Sequence, residues 1–268
     1  MIKKLLIFLI LCGCVGGPDY SHILVVDVTD GDTVVLANGE RLRYLGIDTP
    51  ESRIKQGQQF VYAPQPFAKE ATQLNKNLVL NKVVRIEFDV EKRDKFNRLL
   101  GYCFVGDTFV NARLLETGFA VLYTSPPNVK YTTALIAAQK KARRQKLGLW
   151  NAHETIGPEN ALQYANQIRT IRGKVVSVKH SPKFVALRLG KSTKNAFSII
   201  LFKNAIDNFH AQDIDPLTFY TGKIVEVSGR VRNYRGRPEI IVHAPSEIEL
   251  LDSREANEHG RDNEGMQQ

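Results

Sequence analysis

Alternating apolar and polar positions in the first half of the chain predict short β-strands separated by turns. The predicted strands are residues 23–28, 33–36, 40–47, 83–88 and 99–105, and Asn38-Gly39 predicts the hairpin turn before the third strand. Helical spacing predicts three helices, over residues 66–78, 111–117 and 132–147. Strands in this order, with a helix inserted between the third and the fourth, indicate a small five-stranded Greek-key barrel of the OB type.

The β pattern returns after a polar stretch, residues 152–167, which we interpret as a linker. The predicted strands of this second part are residues 171–179, 184–189, 197–202, 223–232 and 239–242, and a helix over residues 204–210 separates the third from the fourth. The predicted fold class is therefore mainly β with α. An OB-type barrel with packed helices over residues 22–151 precedes a second OB-like barrel over residues 168–251.

Carboxylates cluster at the ends of two predicted strands. Asp32 lies in Asp30-Gly31-Asp32-Thr33, between the first two strands, and Asp48 and Glu51 lie in Asp48-Thr49-Pro50-Glu51, where Pro50 ends the third strand. Two Asp carboxylates, a backbone carbonyl such as that of Thr49, and water form an oxygen-only ligand set. Such a set suits Ca²⁺ or Mg²⁺, whereas zinc prefers His or Cys.

Two arginines accompany these acidic runs. Arg43 lies on the predicted strand that leads to Asp48, and Arg98 lies in a polar turn, residues 93–98, between the fourth and fifth strands. A phosphodiester carries negative charge that repels an attacking water, so its hydrolysis needs charge neutralisation and an activated water. The planar guanidinium fork can bind two phosphate oxygens at once. The set therefore indicates a metal-assisted phosphodiesterase site.

Four motifs resemble the staphylococcal nuclease-like (thermonuclease) domain, over roughly residues 22–151. They are Val28-Thr29-Asp30-Gly31-Asp32-Thr33, Leu42-Arg43-Tyr44-Leu45-Gly46-Ile47-Asp48-Thr49-Pro50-Glu51, Asp94-Lys95-Phe96-Asn97-Arg98 and Lys146-Leu147-Gly148-Leu149-Trp150. The resemblance implies that Asp32, Asp48 and the carbonyl of Thr49 bind Ca²⁺. It also implies that Arg43 and Arg98 bind the phosphate and that Glu51 either orients or deprotonates the attacking water.

Substrate binding is the one respect in which the chain departs from that family. Its members usually carry two tyrosines on the loop before the last helix; Tyr123 matches one, whereas Ser125 replaces the other. Base stacking is therefore expected to be weaker, although Tyr123 is equally compatible with a half-buried strand tyrosine. Lys95, in the turn that holds Arg98, is a further candidate substrate-binding residue.

The second barrel resembles OB-fold nucleic-acid-binding domains more loosely, through residues 222–231 and 234–239. Tyr234 lies next to Arg232, Arg235 and Arg237, where it can stack on a base within a basic groove; a solvated hairpin tip is the alternative. Since no acidic run of the metal-ligand type occurs here, binding without catalysis is expected.

The amino terminus predicts export. A basic segment, residues 1–4, precedes a short apolar run and Leu11-Cys12-Gly13-Cys14, which resembles a bacterial lipoprotein signal cleaved before Cys14. The predicted organisation is a signal peptide (1–13), lipid attached to Cys14, and a tether (14–21). Ordinary secretion with cleavage nearby is the alternative. At the other end, the polar residues 252–268 predict a disordered tail.

Composition agrees with a nucleic-acid enzyme. The formal net charge of the 268 residues is +9, which favours polyanionic partners. The six histidines are scattered without metal-binding spacing, and no glycine-rich phosphate loop with a lysine occurs, so no nucleotide cofactor is expected. Cys103 and Trp150 are expected in the core, and the basic face of helix 132–147 is expected to be solvated.

Two hypotheses follow. The first is a Ca²⁺-dependent nuclease that acts as a lipid-anchored monomer outside the cytoplasmic membrane, cutting DNA and RNA with little sequence preference and favouring single strands. The second is a non-catalytic nucleic-acid binder or scaffold, because some members of the nuclease-like family have lost their active residues. The intact set of Asp32, Arg43, Asp48, Glu51 and Arg98 favours the enzyme.

Overall fold

The computed structural model describes residues 19–152, 155–190 and 196–251. The predicted signal peptide (1–13), Cys14 and the predicted tail (252–268) lie outside the described residues. Within these ranges, no helix combines the length and the apolar character needed to cross a bilayer.

The first half of the chain forms a closed barrel with helices packed against it. Its strands are β1 (Ile23–Val28), β2 (Thr33–Leu36), β3 (Arg41–Tyr44), β4 (Gly46–Asp48), β5 (Arg53–Gln56), β6 (Gln59–Tyr62), β7 (Val83–Glu87), β8 (Leu99–Val105), β9 (Thr108–Phe109) and β10 (Val121–Tyr123). Its helices are α1 (Ala68–Val79), α2 (Val110–Glu116), α3 (Thr132–Arg144) and α4 (Leu149–Ala152). The hydrogen-bonded order β1–β2–β3–β8–β7 returns to β1, and β3 runs parallel to β8. The predicted OB-type barrel is confirmed.

Inward-facing residues of β1, β2, β3, β7 and β8 fill the barrel. Val25, Leu36, Leu42 and Tyr44 are fully or almost fully buried, and so is Cys103. Burial raises the pKa of the Cys103 thiol to about 12, which keeps it protonated at neutral pH. The prediction that Cys103 is a small core residue is confirmed.

The prediction of a single strand over residues 40–47 was wrong, because the chain kinks after Tyr44 and forms two strands, β3 and β4. Gly46 has a φ of +78°, and a Cβ at this position would lie 2.3 Å from Cδ1 of Leu135, so only glycine fits there. Beyond the kink β4 leaves the barrel and pairs with β10, opposing Asp48 to Val121. The kink thus separates Arg43, on the barrel, from Asp48, on a strand outside it. The hairpin β5–β6, with its mixed polarity, was not predicted.

The second half of the chain forms one seven-stranded sheet, which we refer to as the second barrel after its predicted fold. Its elements are β11 (Ile168–Ser181), β12 (Phe184–Leu189), β13 (Phe197–Phe202), α5 (Lys203–His210), β14 (Ile224–Arg230), β15 (Arg232–Tyr234), β16 (Arg237–Ile241) and β17 (Ile248–Leu251). β14 pairs with β11, and β15, which follows directly, pairs with β16; β16 runs parallel to β13. Val175, Leu187, Ile199 and Val227 lie among the buried core residues.

The segment predicted as a linker packs on the second barrel. Ile156 forms a parallel bridge with Ile171, and a 3₁₀ helix (Pro158–Tyr164) buries Pro158 and Ala161 against the sheet. Residues 155–167 therefore extend the second barrel towards the first.

The two barrels meet at a small apolar cluster of Val121, Leu149 and Ile168, flanked by Phe67 and Trp150. Trp150 packs against a hydrophobic cluster, as predicted, but this cluster lies at the junction of the two barrels, and the Arg143 guanidinium lies 5.0 Å from the centre of the indole ring. Arg143 also forms ion pairs with Glu226 and Glu249 of the second barrel. The sequence predicted a solvated basic face for α3. Arg143 on that face contacts the second barrel instead, so the face is only partly solvated.

Candidate active site

Asp32 immediately precedes β2, and its carboxylate is held by Thr49, the residue that follows Asp48. Its side chain is almost fully buried, and its Oδ2 accepts hydrogen bonds from the amide and the hydroxyl of Thr49, both at 2.9 Å. The Thr33 hydroxyl donates to Oδ1 at 3.1 Å. These donors satisfy both carboxylate oxygens of Asp32 and fix their direction.

The contact between Asp32 and Thr49 depends on Gly31. A Cβ at this position would lie 2.7 Å from Oγ1 of Thr49 and 2.8 Å from Cβ of Ala71. Only glycine lets the first acidic turn approach the second this closely.

Arg43, on β3, bridges the two aspartates. Its Nη1 lies 3.2 Å from Oδ2 of Asp32 and its Nη2 lies 3.1 Å from Oδ1 of Asp48. Nη1 also donates to the carbonyls of Tyr44 and Ile47, each at 2.9 Å, so the backbone at the kink fixes the guanidinium. Burial alone would lower the pKa of Arg43, but the charges of Asp32 and Asp48 outweigh it and raise that pKa.

Glu51 lies at the rim of the same site, where its side chain is 46% exposed. Its amide donates to Oε1 of Gln65 at 3.0 Å, which attaches the Asp48–Glu51 turn to the segment before α1. Burial in the cleft and the charges of Asp32 and Asp48 raise the pKa of Glu51, while Arg230 and Arg43 oppose them. A carboxylate with a raised pKa is a stronger base than a free one, as proton abstraction from water requires.

The oxygens of Asp48, Thr49 and Glu51 that face the cleft already bind a positive group. Nη2 of Arg230, from the second barrel, lies 3.0 Å from Oδ2 of Asp48 and 3.0 Å from the carbonyl oxygen of Thr49. Hard carboxylate and carbonyl oxygens that converge on one cation are the donors Ca²⁺ takes, so the residues present fit that ion. In the described part of the chain, no three His, Cys, Asp or Glu side chains converge on a common metal position.

Arg98 is held in the polar turn by Asp94. Oδ2 of Asp94 accepts Nε of Arg98 at 2.8 Å and lies 2.8 Å from Nη2, while Oδ1 accepts the amides of Phe96 and Arg98. These hydrogen bonds from Arg98 outweigh burial and lower the pKa of Asp94. Asp94 thus fixes both the turn and the direction of the Arg98 side chain.

A cleft of about 620 Å³ between the two barrels unites most of the predicted residues. Asp32, Arg43, Asp48, Glu51, Lys95, Arg98, Tyr123 and Ser125 line it, together with Arg230 and Arg232 of the second barrel. Thr49 lies directly beneath, 2% exposed. The Tyr123 ring packs edge-on against His243, with ring centroids 4.9 Å apart, and the side chain stays 40% exposed to the cleft.

Tyr234 does not join this cleft. Its side chain, 53% exposed, lines a separate groove of about 310 Å³ on the second barrel, which we call the outer groove. The groove residues are Lys179, Lys183, Phe184, Ala186, Arg188, Ser198, Ile200, Phe202, Arg232, Tyr234, Arg237, Pro238 and Glu239. The guanidinium of Arg235 lies 5.4 Å above the Tyr234 ring. Arg232 contributes to both cavities.

Sequence analysis did not identify Asp30 or Arg230 as site residues. Asp30 lines the cleft, and burial together with the charge of Asp32 raises its pKa to about 7. The Asp-Gly-Asp motif could have indicated a second carboxyl near Asp32. No local pattern indicates Arg230, because its partners in the second acidic run, Asp48, Thr49 and Glu51, lie 179 to 182 positions earlier in the chain.

Comparison with known proteins agrees with this geometry over the first barrel. The family of staphylococcal nuclease homologues matches residues 41–152, a range that includes Arg43, Asp48, Glu51 and Arg98 and begins after Asp32. The thermonuclease of Staphylococcus intermedius is 38% identical over 130 residues, which cover 47% of this chain and 74% of that protein.

Two proteins of Bacillus subtilis (strain 168) are similar as well. The SPbeta prophage-derived endonuclease YokF is 38% identical over 137 residues, covering 47% of this chain and 45% of that protein. Endonuclease YncB is 37% identical over 127 residues, which cover 46% of this chain and 58% of that protein.

Proposed function

The chain belongs to the staphylococcal nuclease family, and from this premise we propose that it is a Ca²⁺-dependent phosphodiesterase that cleaves DNA and RNA with little sequence preference. A nuclease of this family is a hydrolase acting on phosphodiester bonds; the metal and the range of substrates are the proposal. One observation carries it: Arg43 bridges Asp32 and Asp48 in the cleft that Glu51 and Arg98 also line.

Asp32, Asp48 and the carbonyl of Thr49 are the residues that would hold the cation. When bound, Ca²⁺ would supply positive charge to the phosphate and a place for a water close to it. Asp32 is anchored by Thr49 and both carboxylates are oriented by Arg43, so the ligands are fixed before the ion arrives. A preorganised oxygen set avoids reorganisation during the reaction.

Arg43 and Arg98 are proposed to bind the phosphate. Among the described residues, no acceptor binds Nε of Arg43 or Nη1 of Arg98, so each guanidinium keeps a donor for phosphate oxygens. Because the charge on those oxygens grows as the pentacoordinate state forms, these hydrogen bonds strengthen during the reaction.

Glu51 is proposed to orient or deprotonate the attacking water. Its carboxylate lies next to Asp48 at the open rim, where water and substrate can reach it, and its raised pKa favours proton uptake. Lys95 and Tyr123, on the walls of the cleft, are proposed to contact the backbone and a base of the substrate. A base must leave a duplex before it can stack on a side chain, so single strands are the favoured substrate.

We also propose that the enzyme acts outside the cytoplasmic membrane, anchored by lipid on Cys14. The basic and apolar amino-terminal segment and Leu11-Cys12-Gly13-Cys14 support this proposal. Mass spectrometry of the amino-terminal peptide from a bacterial host should find an acylated Cys14. Cys14→Ser should release the protein from the membrane fraction; a wild-type protein secreted without lipid would contradict the anchor.

The catalytic proposal is tested with a form that starts at Asp19, incubated with denatured DNA and with RNA. Cleavage should require Ca²⁺ with an apparent affinity on the order of 10⁻⁴ to 10⁻³ M and should stop on addition of a chelator. Asp48→Asn should raise the Ca²⁺ concentration needed for half-maximal activity. Cleavage that survives chelation would contradict the metal assignment, and binding without cleavage would favour the non-catalytic alternative.

A further inference from the structure

Arg230 ends β14 in the second barrel, and its guanidinium reaches across the junction into the candidate active site. Nη2 donates to Oδ2 of Asp48 and to the carbonyl of Thr49, both at 3.0 Å, and lies 3.4 Å from Oε1 of Glu51. On its other side, Nη1 donates to Oε1 of Gln65 at 3.2 Å and to the carbonyl of Asn166 at 3.0 Å. The side chain is 23% exposed.

Two of these acceptors are the atoms proposed to bind Ca²⁺. A calcium ion sits about 2.4 Å from each oxygen ligand. A guanidinium nitrogen 3.0 Å from both Asp48 Oδ2 and Thr49 O therefore stands where a cation would, and two positive groups cannot share these oxygens at such short separation. Binding of the ion at these atoms requires that Arg230 leave them.

The two barrels have other contacts that do not involve Arg230. Arg143 pairs with Glu226 and Glu249, the Thr124 amide donates to Oε1 of Glu247 at 3.3 Å, and the apolar cluster around Leu149 and Ile168 closes the junction. The release of one guanidinium thus leaves the barrels docked. Replacement of the Arg230 guanidinium by a metal ion therefore needs only a movement of this side chain.

We propose that Arg230 is an internal counter-cation that competes with the metal for Asp48 and the Thr49 carbonyl, and so sets the metal affinity of the site. The inference rests on the proposed function, because it concerns the same metal ligands. It gives the second barrel a role in the chemistry of the first. In the metal-free chain the guanidinium neutralises the carboxylates; once the ion is bound, Arg230 lies free in a cleft built to accept phosphate.

Arg232 provides a matched control. It lies two residues further on, in β15, and lines the same cleft, yet within the described residues it forms no ion pair with Asp48 or Glu51. Arg232→Gln removes the same charge from the same cleft without removing a competitor from the metal ligands. Any general electrostatic effect on Ca²⁺ binding appears in both variants, and the effect of direct competition appears only in Arg230→Gln.

The test is Ca²⁺ binding to the protein that starts at Asp19, measured by titration calorimetry without nucleic acid. Arg230→Gln should bind Ca²⁺ at least about tenfold more tightly than Arg232→Gln, equivalent to about 1.4 kcal/mol. Thermal unfolding verifies that each variant is folded. Arg230→Lys, whose single amino group cannot hold both sets of acceptors, should shift affinity in the same direction by less and serves if the glutamine variant unfolds.

The Asp48→Asn variant distinguishes failure of the metal assignment from failure of the proposal for Arg230. If wild-type protein shows no Ca²⁺ binding that Asp48→Asn weakens, the metal assignment of the proposed function fails. If that binding is present but the Arg230 variants bind no more tightly than Arg232→Gln, the metal assignment stands and Arg230 is not a competitor.

Discussion

Glu51 is the residue whose proposed chemistry can be separated most cleanly from its structural role. Its backbone amide, not its carboxylate, attaches the turn to Gln65, and its side chain is half exposed. Glu51→Gln should therefore leave the fold intact while turnover falls by about 10²-fold or more. Steady-state cleavage of denatured DNA at saturating Ca²⁺ measures the loss.

Glu70→Gln is the matched control for Glu51→Gln, since Glu70 is an exposed residue of the first turn of α1. It should retain wild-type turnover. Near wild-type turnover of Glu51→Gln, with unchanged melting temperature, would remove Glu51 from the mechanism.

The proposed role of Arg98 requires a guanidinium group with three nitrogens. Asp94 binds Nε and Nη2, and Nη1 remains for the phosphate. Lysine cannot do both, so Arg98→Lys should lose about 10²-fold in turnover despite its conserved charge. Arg113→Lys, at an exposed arginine of α2 that pairs with Glu116, should be neutral. Equal turnover of Arg98→Lys and the wild type would mean that Arg98 acts only as a charge.

At the residue scale, the sequence predicted the proximity of those candidate residues that lie together in short motifs. Asp32, Arg43, Asp48, Thr49 and Glu51 come from two strand-and-turn runs, and neighbours in sequence at strand ends remain neighbours in space. Contacts such as Arg230 to Asp48 join residues 182 positions apart, and no local pattern encodes them.

Among the elements, the turn that contains Gly31 determines how closely the two acidic runs approach. Gly31→Ala would place a methyl group 2.7 Å from Thr49 Oγ1, separating Thr49 from Asp32. We expect a loss of roughly 1–3 kcal/mol in the free energy of unfolding, together with weaker Ca²⁺ binding. Denaturant unfolding and calcium titration measure the two effects.

Gly39→Ala is the control for Gly31→Ala. At Gly39 φ is +81° and no atom lies within 4 Å of an added Cβ, so alanine costs about 1–2 kcal/mol of backbone strain without touching the site. Both variants should lose stability, but only Gly31→Ala should lose metal affinity. Unchanged calcium binding in Gly31→Ala would show that the Asp32–Thr49 contact does not shape the site.

The bounds of elements with a regular apolar periodicity were predicted within a few residues. Elements that form only because a distant strand pairs with them were missed. α1, α5 and the barrel strands follow the apolar periodicity of the sequence. β10 has three residues and exists because β4 turns out of the barrel at Gly46 to pair with it. The contacts of Trp150 and Arg143 across the junction were missed for the same reason: their partners, Ile168 and Glu226, belong to the other barrel.

At the scale of the whole molecule, the two barrels enclose a cleft that neither forms alone. The first contributes the carboxylates and Arg43; the second contributes Arg230 and Arg232 to the opposite wall. Removing the second barrel would expose Leu149 and leave Arg143 without Glu226 and Glu249, so a truncated chain would report on stability as well as on binding. Point substitutions on the intact chain test the second barrel more directly.

The outer groove allows such a test, because its charged and aromatic residues should affect nucleic-acid binding differently. Charged residues should change the salt dependence of the affinity, and aromatic residues should change the affinity alone. Tyr234 and Phe202 are 53% and 41% exposed beside Lys179, Lys183 and Arg188. In an otherwise full Glu51→Gln chain, Lys183→Ala should flatten the plot of log affinity against log salt by about 0.7 for each phosphate that the lysine neutralises. Tyr234→Ala should weaken binding of long single strands by roughly 1–3 kcal/mol and leave the slope unchanged, because stacking releases no counterions.

Lys69→Ala and Tyr62→Ala are the controls for the outer groove, as both residues are exposed on the first barrel and do not line that groove. Fluorescence anisotropy of labelled oligonucleotides over a salt series measures both signatures. A short oligonucleotide that fills only the cleft should bind all variants equally, since the groove around Tyr234 is a separate cavity. If long strands also bind the groove variants and the controls with the same affinity and slope, nucleic acid does not run over the second barrel, and its contribution is confined to the wall of the cleft that carries Arg230.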